Sequence, residues 1–206
     1  MKENKLTGSG LKHAFARCLH MMILAGLLTL AGGAFSAAFA HSFNTVLILP
    51  EATAGITDLE QAFLLASQER DSHAQEESDG HLGGLDVYLT FANEFDKNAI
   101  ASAAADVIAA PLSSKDTDLT LAEFALGLGA VVLTAPDLEA PGAQALLARA
   151  ADPSLPPFAT RFRAATGRAP GPEAKAVYVT ARQISQAVRA AGGVDDLALL
   201  RSLLAK

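Results

Sequence analysis

Thr45-Val46-Leu47-Ile48-Leu49, closed by Pro50, is the stretch of this sequence that decides its fold. None of these residues is charged, and Pro50 removes the backbone donor that the strand would need in order to continue. A continuous run of this kind is typical of a strand buried on both faces, as in parallel sheets covered by helices on both sides. The run therefore predicts the first strand of an α/β domain.

The sequence that follows this strand alternates between helical and strand patterns. Thr57-Asp58-Leu59-Glu60 matches a capping box, the side-chain pattern that satisfies free backbone amides at a helix start. The predicted helix runs to about Arg70, and a polar loop follows over residues 71–84. Further strands are predicted at 85–89, 106–110 and 130–134, with a short helix at 97–104. A longer helix is predicted to begin at a second capping box, residues 120–123, or about one turn before it. Alternation of this kind predicts a parallel sheet with right-handed connections.

Only helical patterns follow residue 135. Residues 136–142 are predicted to be a linker, and helices are predicted at 156–166, 172–191 and 195–204. In the longest helix, apolar residues recur at spacings of three and four between Pro172 and Gly192-Gly193. We therefore predict an α/β fold with a doubly wound parallel sheet in the flavodoxin-like order 2-1-3-4, followed by C-terminal helices.

The first forty residues have the three parts of a cleavable secretory signal peptide. The basic start contains Lys2, Lys5, Lys12 and Arg17. The apolar core spans residues 19–30, and the small-residue cleavage motif is Ala38-Phe39-Ala40. The apolar core is shorter than a membrane-spanning helix requires, and an uncleaved anchor is the alternative interpretation. We expect cleavage after Ala40, release into the periplasm and a single domain over residues 41–206.

The charge of the exported part excludes several classes of partner. Residues 1–40 hold four Lys or Arg and one Glu, so their removal changes the formal net charge from −6 to −9. An acidic domain of this kind has no basic stripe for nucleic acid and no polybasic patch for anionic lipid. The single cysteine, Cys18, lies in the removed segment, so neither a disulfide nor a thiol nucleophile is expected.

A ligand of such a sheet is expected beyond the carboxyl ends of the strands, where the strand order reverses. In the order 2-1-3-4 this point lies between the first and third strands, so loops 51–56 and 112–116 are expected to meet there. Thr53 lies in the first loop, and Ser113 and Ser114 lie in the second, just before a helix. Hydroxyls and free amides at a helix start suit a small anion such as a carboxylate, although serines in this position also serve simply as caps.

Three sets of residues carry a family resemblance. They are Val46-Leu47-Ile48-Leu49-Pro50 with its following helix, then Pro111-Leu112-Ser113-Ser114, and then Phe158-Ala159-Thr160-Arg161-Phe162, Gly167-Arg168-Ala169-Pro170, Tyr178-Val179-Thr180-Ala181-Arg182 and Ala187-Val188-Arg189-Ala190-Ala191-Gly192-Gly193. Together they resemble the type I periplasmic binding proteins of the branched-chain amino acid class, the substrate-catching components of ABC importers. The resemblance implies a binding-protein lobe, capture of a ligand carboxylate by the Ser-Ser turn and an ABC permease as partner. The last helix is also similar to a divergent branch associated with pyrroloquinoline-quinone-dependent alcohol oxidation.

The chain departs from that family in one large respect. Its members have two lobes that close over a solute, whereas here residues 135–151 stand where the second lobe would be inserted. One lobe alone leaves a ligand half exposed, and Glu51 in the first loop would repel a carboxylate held near Ser113.

Two functions are therefore predicted. The first is a periplasmic solute-binding component of an ABC-type uptake system, which binds an amino acid or small carboxylate through Thr53, Ser113 and Ser114. The second is a periplasmic accessory module, connected with quinone-dependent alcohol oxidation, that has lost solute capture. Such a module would bind another periplasmic protein, or a second copy of itself, through the lobe face that is normally covered.

A metal site and an enzyme active site each lack a supporting motif. Residues 71–81 contain two His and four carboxylates, but their spacing fits neither an EF-hand loop nor structural zinc, so a solvated acidic loop is expected. Asp86, Asp137 and Glu139 are carboxylates of the type that acid–base chemistry requires, but no motif positions a nucleophile beside them. We predict no catalytic residue, no metal and no cofactor.

Overall fold

Strand β1 (Ser42–Leu49) lies at the centre of the sheet, between β3 (Leu85–Asn93) and β4 (Val107–Ala110), and pairs in parallel with both. The structure is a computed structural model, and it describes residues 42–49, 56–70, 78–93, 96–113 and 115–205. These residues all belong to one unit, Ala40–Lys206. The other described elements are α1 (Ile56–Ser67) with a 3-10 turn (Gln68–Arg70), β2 (His81–Leu82), α2 (Lys97–Ser102), α3 (Lys115–Leu128), β5 (Val131–Thr134), α4 (Pro141–Ala148), α5 (Phe158–Thr166), α6 (Pro172–Ala191) and α7 (Leu197–Leu204).

The sheet has five strands in the order β2-β3-β1-β4-β5. Strands β3, β1, β4 and β5 are parallel, and β2 is antiparallel to β3. The four strands predicted from the sequence are therefore present in the predicted order, with the first between the second and the third. The α/β class and the mostly parallel sheet are confirmed.

Alternate residues of β1 pack into two separate hydrophobic clusters, one on each face of the sheet. Phe43 and Leu47 belong to the larger cluster, which α1, α4, α5, α6 and α7 complete. Val46 and Ile48 belong to the smaller cluster, together with residues of α2 and α3. Because successive side chains of a strand point to opposite faces, a strand with helices on both sides must be apolar at every position. This requirement explains the continuous apolar run in β1.

Several predicted boundaries differ from the structure. The predicted polar loop 71–84 contains β2, a two-residue strand too short to produce a sequence pattern. The predicted linker 136–142 runs into α4, a short helix that begins at Pro141 and buries only Ala143 and Leu146. Helices α1 and α3 begin at Ile56 and Lys115, so Thr57 and Thr120 lie inside these helices. For α3 this agrees with the alternative of a start about one turn before the capping box.

Several predictions concern residues outside the described part of the chain. These are the signal peptide over residues 1–40, the loop 51–55 with Glu51 and Thr53, the acidic loop residues 71–77, and Ser114. Within the described residues, no helix is long and apolar enough to cross a membrane.

The β2–β3 hairpin is held against α6 through its turn. Gly83 and Gly84 have φ values of 70° and 95°, which suit a two-residue hairpin turn and which L side chains rarely adopt. The Gly83 amide donates a hydrogen bond to Ser185 Oγ over 3.0 Å. A Cβ atom at Gly83 would lie 2.6 Å from Val188 Cγ1, whereas a Cβ atom at Gly84 would meet nothing within 4 Å. Only Gly83 is therefore required for the close approach to α6.

We expect Gly83→Ala to destabilise the protein more than Gly84→Ala does. Both substitutions impose the strain of a positive φ, about 1–2 kcal/mol. Gly83→Ala adds overpacking against Val188, which costs a further 1–3 kcal/mol or so. Urea unfolding followed by circular dichroism measures both losses, and equal losses in the two variants would contradict the packing argument.

Candidate functional site

The carboxyl ends of the parallel strands lie at one edge of the sheet. Between β1 and β4 the order of connection reverses, because the chain passes from β1 to β3 on one side and from β4 to β5 on the other. This point is where an open α/β sheet normally binds a ligand. Ser113, three residues beyond the end of β4, is the one predicted site residue that the structure describes here.

Ser113 is half-buried, and its donors are directed back into the turn. Its hydroxyl donates to the Ala110 carbonyl oxygen over 2.8 Å, and its backbone amide donates to the same oxygen over 3.2 Å. These two hydrogen bonds close the turn that follows β4. A ligand carboxylate would have to draw the hydroxyl proton away from Ala110 in order to use it.

The loop beside Ser113 is acidic. Ala110 at the end of β4 is paired with Thr134 at the end of β5, so the loop that follows β5 is next to the Ser113 loop. This neighbouring loop carries Asp137 and Glu139, both exposed, and Asp137 Oδ1 accepts a hydrogen bond from the Glu139 amide over 3.0 Å. The described loop beside Ser113 therefore presents two exposed carboxylates.

Asp86 does not lie with these carboxylates. It is the second residue of β3, at the amino end of the strand, where its Oδ1 is 2.6 Å from His81 Nε2 in β2. Asp137 and Glu139 follow the carboxyl end of β5, so they lie beyond the opposite ends of the parallel strands. The three carboxylates considered for acid–base chemistry are therefore not brought into one site.

A buried charge cluster, which the sequence did not predict, joins three helices of the larger hydrophobic layer. It consists of Glu69 in the 3-10 turn after α1, of Arg161 in α5, and of Tyr178 and Arg182 in α6. Arg182 Nη1 lies 2.7 Å from Glu69 Oε2, and Arg161 Nη2 and the Tyr178 hydroxyl both donate to Glu69 Oε1. The Glu69 carboxylate has 1% of its side-chain surface exposed.

The Tyr178 hydroxyl is a fixed, neutral member of this cluster. It donates to Glu69 and accepts hydrogen bonds from Arg161 Nη2 over 3.0 Å and from Arg182 Nη1 over 2.8 Å. Burial, and then the hydrogen bond to Glu69, raises the pKa of Tyr178 to about 12. Its ring stacks on Phe158 with centroids 4.0 Å apart. The hydroxyl therefore keeps its proton at neutral pH and supports structure rather than acid–base chemistry.

The segment between α4 and α5 is fastened to this cluster through its backbone. Arg182 Nη1 donates to the Arg149 carbonyl over 3.0 Å, and the Ala151 amide donates to Glu69 Oε2. Arg70 Nη2 donates to the Ala151 carbonyl over 3.1 Å. The connection between α4 and α5 is thus an integral part of the folded unit.

The signal for this cluster in the sequence is slight. Tyr178 and Arg182 are four residues apart, so they lie on one face of α6, beside the apolar stripe through Val177 and Ala181. A polar pair within an apolar stripe indicates burial with partners. The partner Glu69 is 92 residues from Arg161 in the chain, and no local pattern connects them.

A cavity of about 280 Å³ lies between α6 and α7. It is lined by Gln183, Gln186, Ala187, Ala190, Leu203 and Leu204. None of these side chains is charged, so the cavity offers carboxamides and apolar surface but no acid, base or nucleophile. No group of His, Cys, Asp or Glu side chains within the described residues is arranged to hold a metal ion.

Comparison with known proteins gives no match. No family model fits the chain, and neither a curated protein nor a solved structure is similar to it.

We expect Glu69→Gln to destabilise the protein by about 3–5 kcal/mol, because it leaves two buried guanidinium groups without a countercharge. Glu123→Gln on the exposed face of α3 is the matched control, and we expect a change of within about 0.5 kcal/mol for it. Urea unfolding at neutral pH measures both. A loss at Glu69 as small as that of the control would show that the cluster does not hold the helices together.

Proposed function

We propose that this chain is an exported, single-lobe relative of the type I periplasmic binding proteins that binds a small molecule, for uptake or sensing. The observation that carries the proposal is the strand order β3-β1-β4-β5, with the reversal between β1 and β4 and the Ser113 turn directly after β4. Helices on both faces of the sheet support the doubly wound type, in which ligands bind at such a reversal.

The charges around Ser113 indicate the class of ligand. The Ser113 hydroxyl can donate to a carboxylate only by leaving the Ala110 carbonyl. Exposed Asp137 and Glu139 in the adjoining loop favour a positive group. An amino acid, which carries both charges, therefore fits this edge better than a simple carboxylate does.

A single lobe implies weak binding. Two-lobed binding proteins bury their solute by closing around it, and most of the surface of a tightly bound ligand is buried. The described lobe contributes one wall only, so we expect low affinity unless a second protein covers the ligand. An ABC permease or another periplasmic protein is the partner that this role requires.

The second candidate is an accessory module that has lost solute capture and works by binding a protein, including one connected with quinone-dependent alcohol oxidation. The specific observation in its favour is the fastening of Arg149 and Ala151 to the buried charge cluster. The connection that would lead to a second lobe is tied into the first, so the unit has no hinge at this point. The inward direction of both Ser113 donors also favours this candidate.

Export is tested by expressing the whole reading frame in a Gram-negative host and fractionating the cells. We expect the protein in the periplasmic fraction, with an intact mass that corresponds to cleavage after Ala40. Replacing Ala38 and Ala40 with bulky residues should leave an uncleaved precursor, because signal peptidase reads the small residues. A full-length cytoplasmic product from the unaltered frame would overturn the export proposal.

Ligand binding is tested by thermal shift on the purified protein against amino acids, small carboxylates, alcohols, quinone cofactors and divalent metals. A ligand that binds the native state raises the melting temperature. We expect amino acids to give the shift, and we expect Ser113→Ala to reduce affinity about tenfold, the effect of one lost hydrogen bond to a charged group.

Ser102→Ala is the matched control for Ser113→Ala. Its hydroxyl also donates to the carbonyl three residues earlier, over 2.9 Å, but on α2 rather than at the strand edge. We expect its ligand response to equal that of the unaltered protein. A melt that no compound shifts at millimolar concentration would favour the accessory module, and an equal response of the two serine variants would remove Ser113 from the site.

A further inference from the structure

The outer edge of β5 is paired with no other described strand. The Val131 amide donates to the Asp106 carbonyl over 2.9 Å, on the side of β4. Alternate residues of a strand in a parallel ladder bond to opposite sides, so the backbone groups of Val132 and Thr134 point away from β4. Outward N–H and C=O groups that no described strand pairs with are a template for pairing with another strand.

At the opposite edge of the sheet, hydrogen bonds from a neighbouring segment cover the outward backbone groups of β3. The Asp79 amide donates to the Val87 carbonyl and the Val87 amide to the Gly80 carbonyl, each over 2.9 Å. The Leu89 amide donates to Asp79 Oδ2 over 2.7 Å. The hairpin segment before β3 thus occupies the outward groups of that strand as far as Leu89, and no corresponding segment is described beside β5.

An apolar row accompanies the open edge on the face covered by α3. Leu126 has 61% of its surface exposed. Two residues earlier, Phe124 is contacted by Lys97 of α2, with Nζ 5.6 Å from the ring centroid. Residues two apart on a helix project about 200° apart, so Leu126 lies on the side of α3 that faces away from α2. Exposed Ala122, one turn earlier, extends the row.

The two ends of β5 carry opposite charges. Arg201 of α7 reaches the start of the strand, with Nη2 3.5 Å from the Ala130 carbonyl oxygen. Asp137 and Glu139 are exposed just beyond its end. If two copies of β5 lie antiparallel, the basic start of each strand faces the acidic end of the other. This surface is therefore complementary to itself.

We propose that β5 pairs antiparallel with β5 of a second copy of this chain, across a two-fold axis, to form one continuous sheet. The backbone groups of Val132 and Thr134 bond between the copies, and the Leu126 side chains flank the joint. A two-fold contact uses the same patch on both copies, which is the condition that the charge arrangement satisfies. The dimer goes beyond the proposed small-molecule binding and does not depend on it.

The test is sedimentation velocity of the purified protein over a range of concentrations. We expect a monomer–dimer equilibrium that Val132→Pro and Leu126→Glu each shift at least tenfold towards monomer. Proline is tolerated on an edge strand where its missing N–H points outward, so Val132→Pro spares the ladder to β4, and circular dichroism checks the fold. Ile56→Glu, which alters a 50% exposed residue of α1 on the other face of the sheet, is the control and should dimerise normally.

A charge exchange tests the antiparallel direction. Arg201→Glu and Glu139→Arg should each weaken the dimer, and the double variant should restore it, because each pair then again has opposite charges. Glu139→Arg keeps the backbone hydrogen bond to Asp137. A protein that stays monomeric at the highest concentration, a dimer that survives both Val132→Pro and Leu126→Glu, or a failure of the double variant to recover would each overturn the proposal.

Discussion

The Glu69 carboxylate, held between Arg161 and Arg182, is the interaction on which the arrangement of the helices depends. Taking an ion out of water costs several kcal/mol, and only well-placed partners offset that cost. Here the partners come from α5, α6 and the segment before α5, while Glu69 itself follows α1. The carboxylate therefore accepts its hydrogen bonds only when all these elements are in their native places.

One carboxylate does not neutralise two guanidinium groups, and backbone carbonyls complete the arrangement. Arg161 donates to the Leu65 carbonyl over 2.8 Å and to the Pro156 carbonyl over 3.0 Å, and Arg182 donates to the Arg149 carbonyl. The planar fork of arginine reaches several acceptors in fixed directions, which lysine cannot do. These contacts give the cluster its geometric specificity, because they fix loops as well as helices.

The cluster and the carboxyl edge of the sheet have different consequences for function. The cluster is closed to ligands, since its carboxylate, hydroxyl and guanidinium groups are already engaged with one another. At the carboxyl edge, the Ser113 hydroxyl and amide are both directed at Ala110. The tension between the small-molecule and accessory proposals lies in this turn: its location suits a ligand, whereas its hydrogen bonds are complete without one.

The two lateral edges of the sheet differ in whether a neighbouring segment covers their outward backbone groups. Beside β3, a hairpin with Gly83 pressed against α6 covers the outward backbone groups. Beside β5, no described segment pairs with the corresponding groups. An edge that is short and lies beside a charged side chain, here Arg201 of α7, resists indiscriminate pairing, so a partner there must match both its direction and its charges.

Short-range patterns in the sequence were sufficient to predict β1, β4, β5 and α6, whereas the order of the parallel strands was predicted from the flavodoxin-like fold type. An apolar run or a helical stripe reports the environment of consecutive residues, and β1 must be apolar throughout because helices cover both of its faces. The same logic failed for β2 and α4, which are too short to show a period.

The sequence by itself determined the α/β class, the core strands and the position of Ser113 after the strand that adjoins β1. Tertiary structure alone decided that Glu69, Arg161, Tyr178 and Arg182 meet, that Gly83 approaches Val188, and that the Ser113 donors turn inward. The physical reason is range. Burial periodicity is set by neighbours a few residues away, whereas a buried charge finds its partners wherever folding brings them. Glu69 and Tyr178, for example, are 109 residues apart.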